Sequence, residues 1–128
     1  PKPIELPQTY LHRFTGHASV QTIKGVNFWG PNSEFVVSGS DDANVFIWDA
    51  ETAELLNILV GHDDVVNCVV GHPRLPIIAT SGIDDIIKLW EPIGPCPTPE
   101  TIKNRIRDIT GANANNRRFD RGIQCAQQ

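Results

Sequence analysis

The chain alternates between short apolar runs and polar turns, with run lengths typical of β-strands. Four runs rich in β-branched and aromatic residues come first, separated by GPNS, DDA and DAETA, which carry turn chemistry. Three similar runs follow, and the two prolines of HPRLP (72–76) mark a loop, because proline cannot donate to a strand ladder. The predicted strands are 24–29, 34–40, 44–48 and 54–59, then 65–70, 76–80 and 86–90. This pattern predicts an all-β fold.

The third run of the first group, Val45–Trp48, is apolar at every position. A strand with one exposed face would alternate between apolar and polar residues. We therefore expect this strand to be covered on both sides, as neighbouring sheets in a stack would cover it.

The pattern changes after Trp90. Four prolines fall within 91–99, and Thr98, Pro99 and Glu100 then have the order of an N-cap, a first-turn proline and a first-turn acid. These residues predict a linker and then a short helix over about 99–109, with Ile102, Ile106 and Ile109 on one stripe and Gly111 ending it. The Asn, Arg and Gln content beyond it predicts a flexible, disordered tail within 94–128.

The two groups of strands repeat each other. Trp48 and Trp90 are 42 residues apart, and a Ser or Thr and an Asp recur at the same spacing, with a Gly-His upstream. The matched residues are His17, Ser38, Asp42 and Trp48, with His62, Thr80, Asp84 and Trp90. A period of 42–45 residues is typical of the four-stranded blade of a β-propeller.

The predicted domains are one blade at 16–60 and a partial blade, lacking its fourth strand, at 61–93. Residues 9–15, which include TYLHRF, are predicted to be the last strand of a preceding blade. Propellers close with about four to eight blades. We therefore expect the two blades to be part of a larger β-propeller whose other blades belong to the parent chain or to a partner chain.

Charge and composition exclude several classes. Residues 1–98 hold five Lys and Arg against twelve Asp and Glu, and the six basic residues of 99–128 are scattered, so nucleic acid is an unlikely partner. No apolar run approaches the roughly 20 residues needed to span a bilayer. Three cysteines at irregular spacing, without a visible secretory signal, favour free thiols and an intracellular location, in the nucleus, the cytoplasm or both.

The repeated polar residues are best explained as a scaffold. A chain from the Trp N–H through a hydroxyl and an imidazole to a carboxylate satisfies each polar group within a blade. An enzyme using Ser38 or Ser40 with His62 and Asp49 is the alternative, but a catalytic site has no need of a second copy 42 residues away. We therefore predict no catalytic residue and no cofactor.

Cys68, three residues before His72, is the best candidate for a metal ligand. It is predicted to be a buried thiol beside Val66 and Val70, and no CxxC or HxxxH pair supports a zinc site, so we predict no metal. Binding of a partner protein is instead expected at positions where the two repeats differ, or at the end of the third strand of the first repeat. These partner-binding candidates are Asp49, Glu51 and Ser40.

The GH…SGSDD…IWD and GH…TSGIDD…LWE units over residues 12–93 resemble WD-repeat proteins. The GVNF-x-G-P loop, the VVNC strand, the H-P-x-x-P loop and the S-G-I-D turn are similar to the last two repeats of a branch of cullin-4 ligase substrate receptors, the nuclear-receptor-interacting and adipose-related WD-repeat proteins. The resemblance implies a seven-bladed propeller that acts as a protein–protein interaction scaffold. It would dock on the cullin-4 adaptor and present substrates for ubiquitin transfer.

One motif of that family is missing. Adaptor-binding repeats often end in Trp-Asp-x-Arg, whereas Glu51 and Ile93 stand at the Arg positions here. Adaptor docking would therefore use an Arg of another repeat or another surface. A structural WD-repeat subunit of a different multiprotein complex remains the alternative function.

Overall fold

The computed structural model describes residues 10–92 and 98–126, with the side chains of the final helix described as far as Asn115. It contains a four-stranded sheet in the order β1-β2-β3-β4, a three-stranded sheet in the order β5-β6-β7, and one helix. The first sheet consists of β1 (Val26–Trp29), β2 (Phe35–Gly39), β3 (Asn44–Asp49) and β4 (Leu55–Val60). The second consists of β5 (Val66–Gly71), β6 (Ile78–Gly82) and β7 (Lys88–Trp90), and α1 spans Pro99–Ala126.

All seven predicted strands are confirmed, and within each sheet, strands that follow one another along the chain pair antiparallel. Antiparallel neighbours need only short turns, which the polar segments between the runs provide. The two sheets therefore have the strand order expected of one complete blade and one blade without its fourth strand.

A β-bulge in β5 makes one prediction wrong. The register of β5 against β6 shifts between Val66, which pairs with Gly82, and Cys68, which pairs with Ser81. The extra residue reverses the alternation of side chains. Val69 is buried with Val66 as a result, and Cys68 is exposed instead of buried.

The main core lies between the two sheets. Val37, Val45 and Ile47 of the first sheet pack against three residues of the second, all of them at most 8% exposed. Those three are Val66, Val69 and Ile78. Backbone bonds also cross the interface, because Val66 N donates to Ser40 O at 3.0 Å and Gly25 N donates to Asn67 O at 2.7 Å. The sheets stack face to face, as adjacent blades do.

The opposite face of the first sheet has a second core. Val36, Phe46, Trp48 and Ile58 are buried there. β3 is covered on both sides as predicted, but the second cover is not a blade. It consists of Ile106 and Ile109 of α1 together with Phe14.

The predictions for the two ends of the chain have different outcomes. The helix begins at Pro99 as expected, but it continues through Gly111 to Ala126, where a flexible tail was predicted. Residues 10–14 pair with no strand of either sheet, and Phe14 packs edge-on against Trp48, with ring centroids 5.9 Å apart. The assignment of residues 9–15 to a preceding blade stays a prediction, because it concerns pairing with the strands of that blade. Thr9, the first residue of that predicted strand, lies outside the described residues.

The outer face of the second sheet is open. Val70, Ile87 and Leu89 are 61%, 74% and 73% exposed. Within the described ranges, no helix is long and apolar enough to cross a membrane.

Candidate functional site

The repeated residues of the second blade lie together at one end of the sheets, where the β6–β7 turn meets the segment entering β5. Trp90 Nε1 is 2.8 Å from Thr80 Oγ1, which is 2.7 Å from His62 Nε2. His62 Nδ1 is in turn 2.9 Å from Asp84 Oδ2, which also accepts a bond from Asp63 N at 3.2 Å. The four predicted residues are therefore joined in the predicted order.

One assignment of protons satisfies this whole chain. The Trp90 indole donates to Thr80, the Thr80 hydroxyl donates to His62 Nε2, and His62 Nδ1–H donates to the Asp84 carboxylate. The hydrogen bond from His62, partly opposed by burial, holds the pKa of Asp84 below its ordinary value of 3.8. The network ties β6, β7 and the loop entering β5 to one another.

The stability of the fold should therefore fall in acid. The pKa of Asp84 is lower in the folded chain, so its contribution is fully present above the ordinary carboxyl pKa and is lost as the pH falls through the folded value. We expect the urea midpoint to drop between about pH 5 and about pH 3, and to drop less in Asp84→Asn. Identical pH profiles for the two proteins would contradict this role of Asp84.

In the first blade, Trp48 and Ser38 form different bonds from their counterparts in the second blade. Trp48 Nε1 donates to the carbonyl of Thr15 at 2.9 Å, and Ser38 Oγ donates to the carbonyl of Gly39 at 3.0 Å. The His17 ring stands edge-on to the Trp48 ring, with centroids 5.2 Å apart. The predicted Trp48–Ser38 link is wrong, because a backbone carbonyl lies within reach of the indole.

Asp42 has a partner that sequence reasoning missed. Its Oδ2 accepts a bond from Asn113 Nδ2 at 3.0 Å, and the same amide donates to Gly16 O at 2.9 Å. Asn113 is only 3% exposed. No local signal marks it, since it stands 71 residues from Asp42 in a segment rich in Asn and Ala.

The two blades thus give a matched pair of substitutions. Thr80→Val removes the oxygen between Trp90 and His62 and leaves two polar groups without their partner, which we expect to cost about 2–3 kcal/mol of unfolding free energy. Ser38→Ala at the equivalent position removes one bond to a neighbouring carbonyl and should cost less than about 1 kcal/mol. Chemical denaturation of both variants measures the difference, and equal losses would contradict it.

The hypothetical Ser-His-Asp site is not assembled. Ser40 lies before β3, and Asp49 lies at the far end of that strand, about 17 Å of extended chain away. His62 bonds to Thr80 and Asp84, while the buried Ser38 donates to Gly39 O. The residues of the hypothetical site are therefore held apart. The hydroxyl that lies beside His62 is that of Thr80, which is 1% exposed and also accepts the bond from Trp90, and nothing in this arrangement shows catalytic activity.

The partner-binding candidates have different surroundings. Ser40 is wrong as a contact residue, because it is fully buried and its Oγ accepts a bond from Ala18 N at 2.9 Å. Asp49 holds the β3–β4 turn by accepting bonds from Glu51 N at 2.8 Å and Thr52 N at 2.9 Å, which lower the pKa of its carboxyl. Glu51 is exposed at the tip of this turn.

No group of three or more His, Cys, Asp or Glu within the described ranges is arranged to hold a metal. His72 Nδ1 instead accepts bonds from the backbone N–H groups of Arg74 and Leu75, at 3.0 and 2.9 Å. His72 therefore shapes its own loop.

The loops at the other end of the sheets, opposite the repeated Asp residues, form a groove between the blades. The β1–β2 and β5–β6 loops line a cavity of about 200 Å³. A second cavity of about 220 Å³ adjoins it, since Trp29 and Pro76 line both. The sequence showed these loops as separate runs of proline and aromatic residues, and only the stacking of the sheets brings them together.

Comparison with known families and proteins gives consistent matches. The family model for the WD domain, G-beta repeat, matches residues 8–49 and 53–91. Human WD and tetratricopeptide repeats protein 1 is 43% identical over 114 residues, which cover 87% of this chain and 16% of that protein. Human DDB1- and CUL4-associated factor 6 is 52% identical over 81 residues, covering 62% of this chain and 9% of that protein.

A plant relative is similar at the same level. Protein ALTERED SEED GERMINATION 2 of Arabidopsis thaliana is 45% identical over 87 residues, covering 67% of this chain and 12% of that protein. The chain therefore spans between 9% and 16% of the length of these three relatives.

Proposed function

This chain belongs to the WD domain, G-beta repeat family, and from that premise we propose that it forms part of a substrate receptor of a cullin-4 ubiquitin ligase. A protein-interaction role follows from the family itself. The ligase role is supported by one observation above all, the 52% identity to a relative named as DDB1- and CUL4-associated.

The structure is suited to holding proteins. Its repeated polar groups form hydrogen bonds within the fold. Asp49 and Ser40 likewise accept hydrogen bonds from backbone N–H groups. Among the described residues, the surfaces open to a partner include the turn at Glu51, the groove between the blades and the open face of the second sheet. These are rigid, side-chain-rich surfaces, typical of an interaction platform.

Direct binding to the purified cullin-4 adaptor tests the proposal. We expect immobilised adaptor to retain the protein that contains this chain. The Trp-Asp-x-Arg positions carry Glu51 and Ile93, so Glu51→Arg should strengthen retention if docking uses the β3–β4 turn. A folded protein that shows no saturable binding to the adaptor would refute the ligase role.

A structural subunit of another complex is the second candidate. The absence of Arg at position 51 favours it, because this blade lacks the side chain that often reaches the adaptor in related repeats. It predicts co-purification with fixed partners in constant stoichiometry, and bound proteins whose levels do not change when cullin ligases are inhibited.

The proposed role also implies a location. We propose that the protein acts in the nucleus, the cytoplasm or both, and imaging of a fluorescent fusion in living cells would show this directly.

A further inference from the structure

The groove between the blades is a candidate binding site that the proposed ligase role does not use. Its first cavity lies between Trp29, Pro31 and Phe35 of one blade and the His72–Pro76 loop of the other. Its second cavity continues past Trp29 and Pro76 to Trp90 and Glu91. The result is one apolar groove with two depressions.

The walls of the groove are fixed in place. The rings of Trp29 and Phe35 pack with centroids 5.3 Å apart. Gly71 lies so close to Trp29 that a Cβ atom there would be 2.5 Å from Trp29 Cδ1. The His72–Pro76 loop is closed by a bond from His72 N to Ile77 O at 2.8 Å, in addition to the two bonds that His72 Nδ1 accepts. A ligand would meet a preformed surface, which lowers the entropy cost of binding.

The volumes indicate what the groove can hold. Each depression, at about 200 and about 220 Å³, is smaller than the roughly 300–1,000 Å³ of a typical small-molecule site. Depressions of this size suit single large side chains, the anchors that dominate protein–protein affinity. Two adjoining depressions suit two anchors of one extended segment, whose alternate side chains point the same way.

Opposite charges at the two ends of the groove favour one orientation of a bound segment. Arg74 lines only the first cavity and Glu91 only the second, and both are exposed. Within the described ranges, neither side chain forms an ion pair. A segment with an acidic residue at the Arg74 end and a basic residue at the Glu91 end matches this pattern.

We propose that the groove binds an extended segment of a partner protein. Two apolar anchors are separated by one residue, an acid stands two residues before the first anchor, and a base stands two residues after the second, so that all four side chains face the groove. This proposal rests on the interaction role of the family and not on the adaptor. If the protein does not bind the adaptor, the groove proposal still stands. If the groove binds no peptide, the adaptor proposal still stands.

The test uses two synthetic peptides and the indole signals of the protein. The matched peptide is Asp-Thr-Phe-Thr-Leu-Thr-Lys, and the control is Lys-Thr-Phe-Thr-Leu-Thr-Asp, both capped at their ends. In ¹⁵N-labelled protein, the matched peptide should shift the indole signals of Trp29 and Trp90. That of Trp48, buried on the other face of the first sheet and bonded to Thr15, should stay fixed. We expect about a tenfold preference for the matched peptide, because two exposed ion pairs each contribute a few-fold.

Variants of exposed residues show whether the groove is responsible. The double variant Arg74→Glu/Glu91→Lys should reverse the preference between the peptides. Leu75→Ser, in the wall of the first cavity, should weaken binding several-fold, whereas Leu11→Ser, at 94% exposure outside the groove, should not.

Three results would overturn the proposal. They are the absence of saturable shifts at Trp29 and Trp90, an unchanged peptide preference in the charge-swapped variant, and shifts that depend on protein concentration without peptide. The last would assign the groove to a second copy of this chain.

Discussion

Asp41→Ala is expected to lower the free energy of unfolding by about 3 kcal/mol, because it breaks a buried ion pair and leaves the lysine behind. Lys24 Nζ lies 2.5 Å from Asp41 Oδ1, and the two side chains are 4% and 7% exposed. Asp41 Oδ2 also accepts bonds from Val20 N at 2.6 Å and Gln21 N at 3.1 Å, which hold the segment entering β1. Urea denaturation followed by tryptophan fluorescence measures the loss.

The electrostatics of Asp41 agree with this expectation. Burial alone would raise the pKa of its carboxyl, but the bonds from Lys24 and from the backbone of Val20 and Gln21 outweigh burial and lower it. The carboxylate is therefore favoured in the folded chain. Its contribution, like that of Asp84, disappears as the pH falls through the lowered pKa.

Two further variants separate the charge of Asp41 from its backbone bonds. Asp41→Asn keeps an acceptor for Val20 and Gln21 and should cost less than Asp41→Ala. The double variant Asp41→Ala/Lys24→Met also removes the ammonium, which would otherwise keep its bonds to Thr22 but lack a counter-charge, and should recover part of the loss. If the double variant is less stable than Asp41→Ala alone, the ion pair is not the main contribution.

Gly39→Ala is expected to cost about 3 kcal/mol, for a reason that involves both sheets. A Cβ at this position would lie 2.1 Å from Val66 O, in the backbone of the neighbouring blade. The sheets would have to move apart, and that movement disturbs the core around Val37 and Val69 and the bond from Val66 N to Ser40 O. Thermal unfolding by circular dichroism would show the loss as a lower midpoint.

Gly111→Ala is the matched control. Nothing lies within 4 Å of a Cβ at Gly111, which stands inside α1. The substitution should stabilise the chain by up to about 1 kcal/mol, because alanine favours the helix over glycine. Destabilisation by Gly111→Ala would contradict the continuous helix, and a neutral Gly39→Ala would contradict the close approach of the two blades.

The sequence predicted the strands well because their turns are local. Segments such as DDA and HPRLP end strands by chemistry that acts over a few residues, and the repeat of Trp48 at Trp90 fixed the unit length. The network of the second blade was predictable for the same reason, since each of its links connects residues of one repeat.

The errors arose where distant parts of the chain meet. The bulge before Cys68 lies where β5, a strand of the second sheet, packs against the first sheet. The carbonyl of Thr15 reaches Trp48 because the neighbouring Phe14 packs on the same core as α1. Gly111 would end an isolated helix, but Thr110 and Asn113 contact the first blade on either side of it. The groove also required the tertiary structure, because its loops are 41 residues apart between Pro31 and His72.

The helix over the first sheet makes two arrangements mutually exclusive. Ile106 and Ile109 occupy the face on which another blade would stack, and the amide of Asn113 bridges Gly16 and Asp42 at its rim. One face of a sheet can pack against α1 or against another blade, but not against both. A blade could therefore stack on this face only if α1 dissociated from it. Hydrogen exchange of the α1 amides therefore reports whether the first sheet is covered by α1 or by another blade.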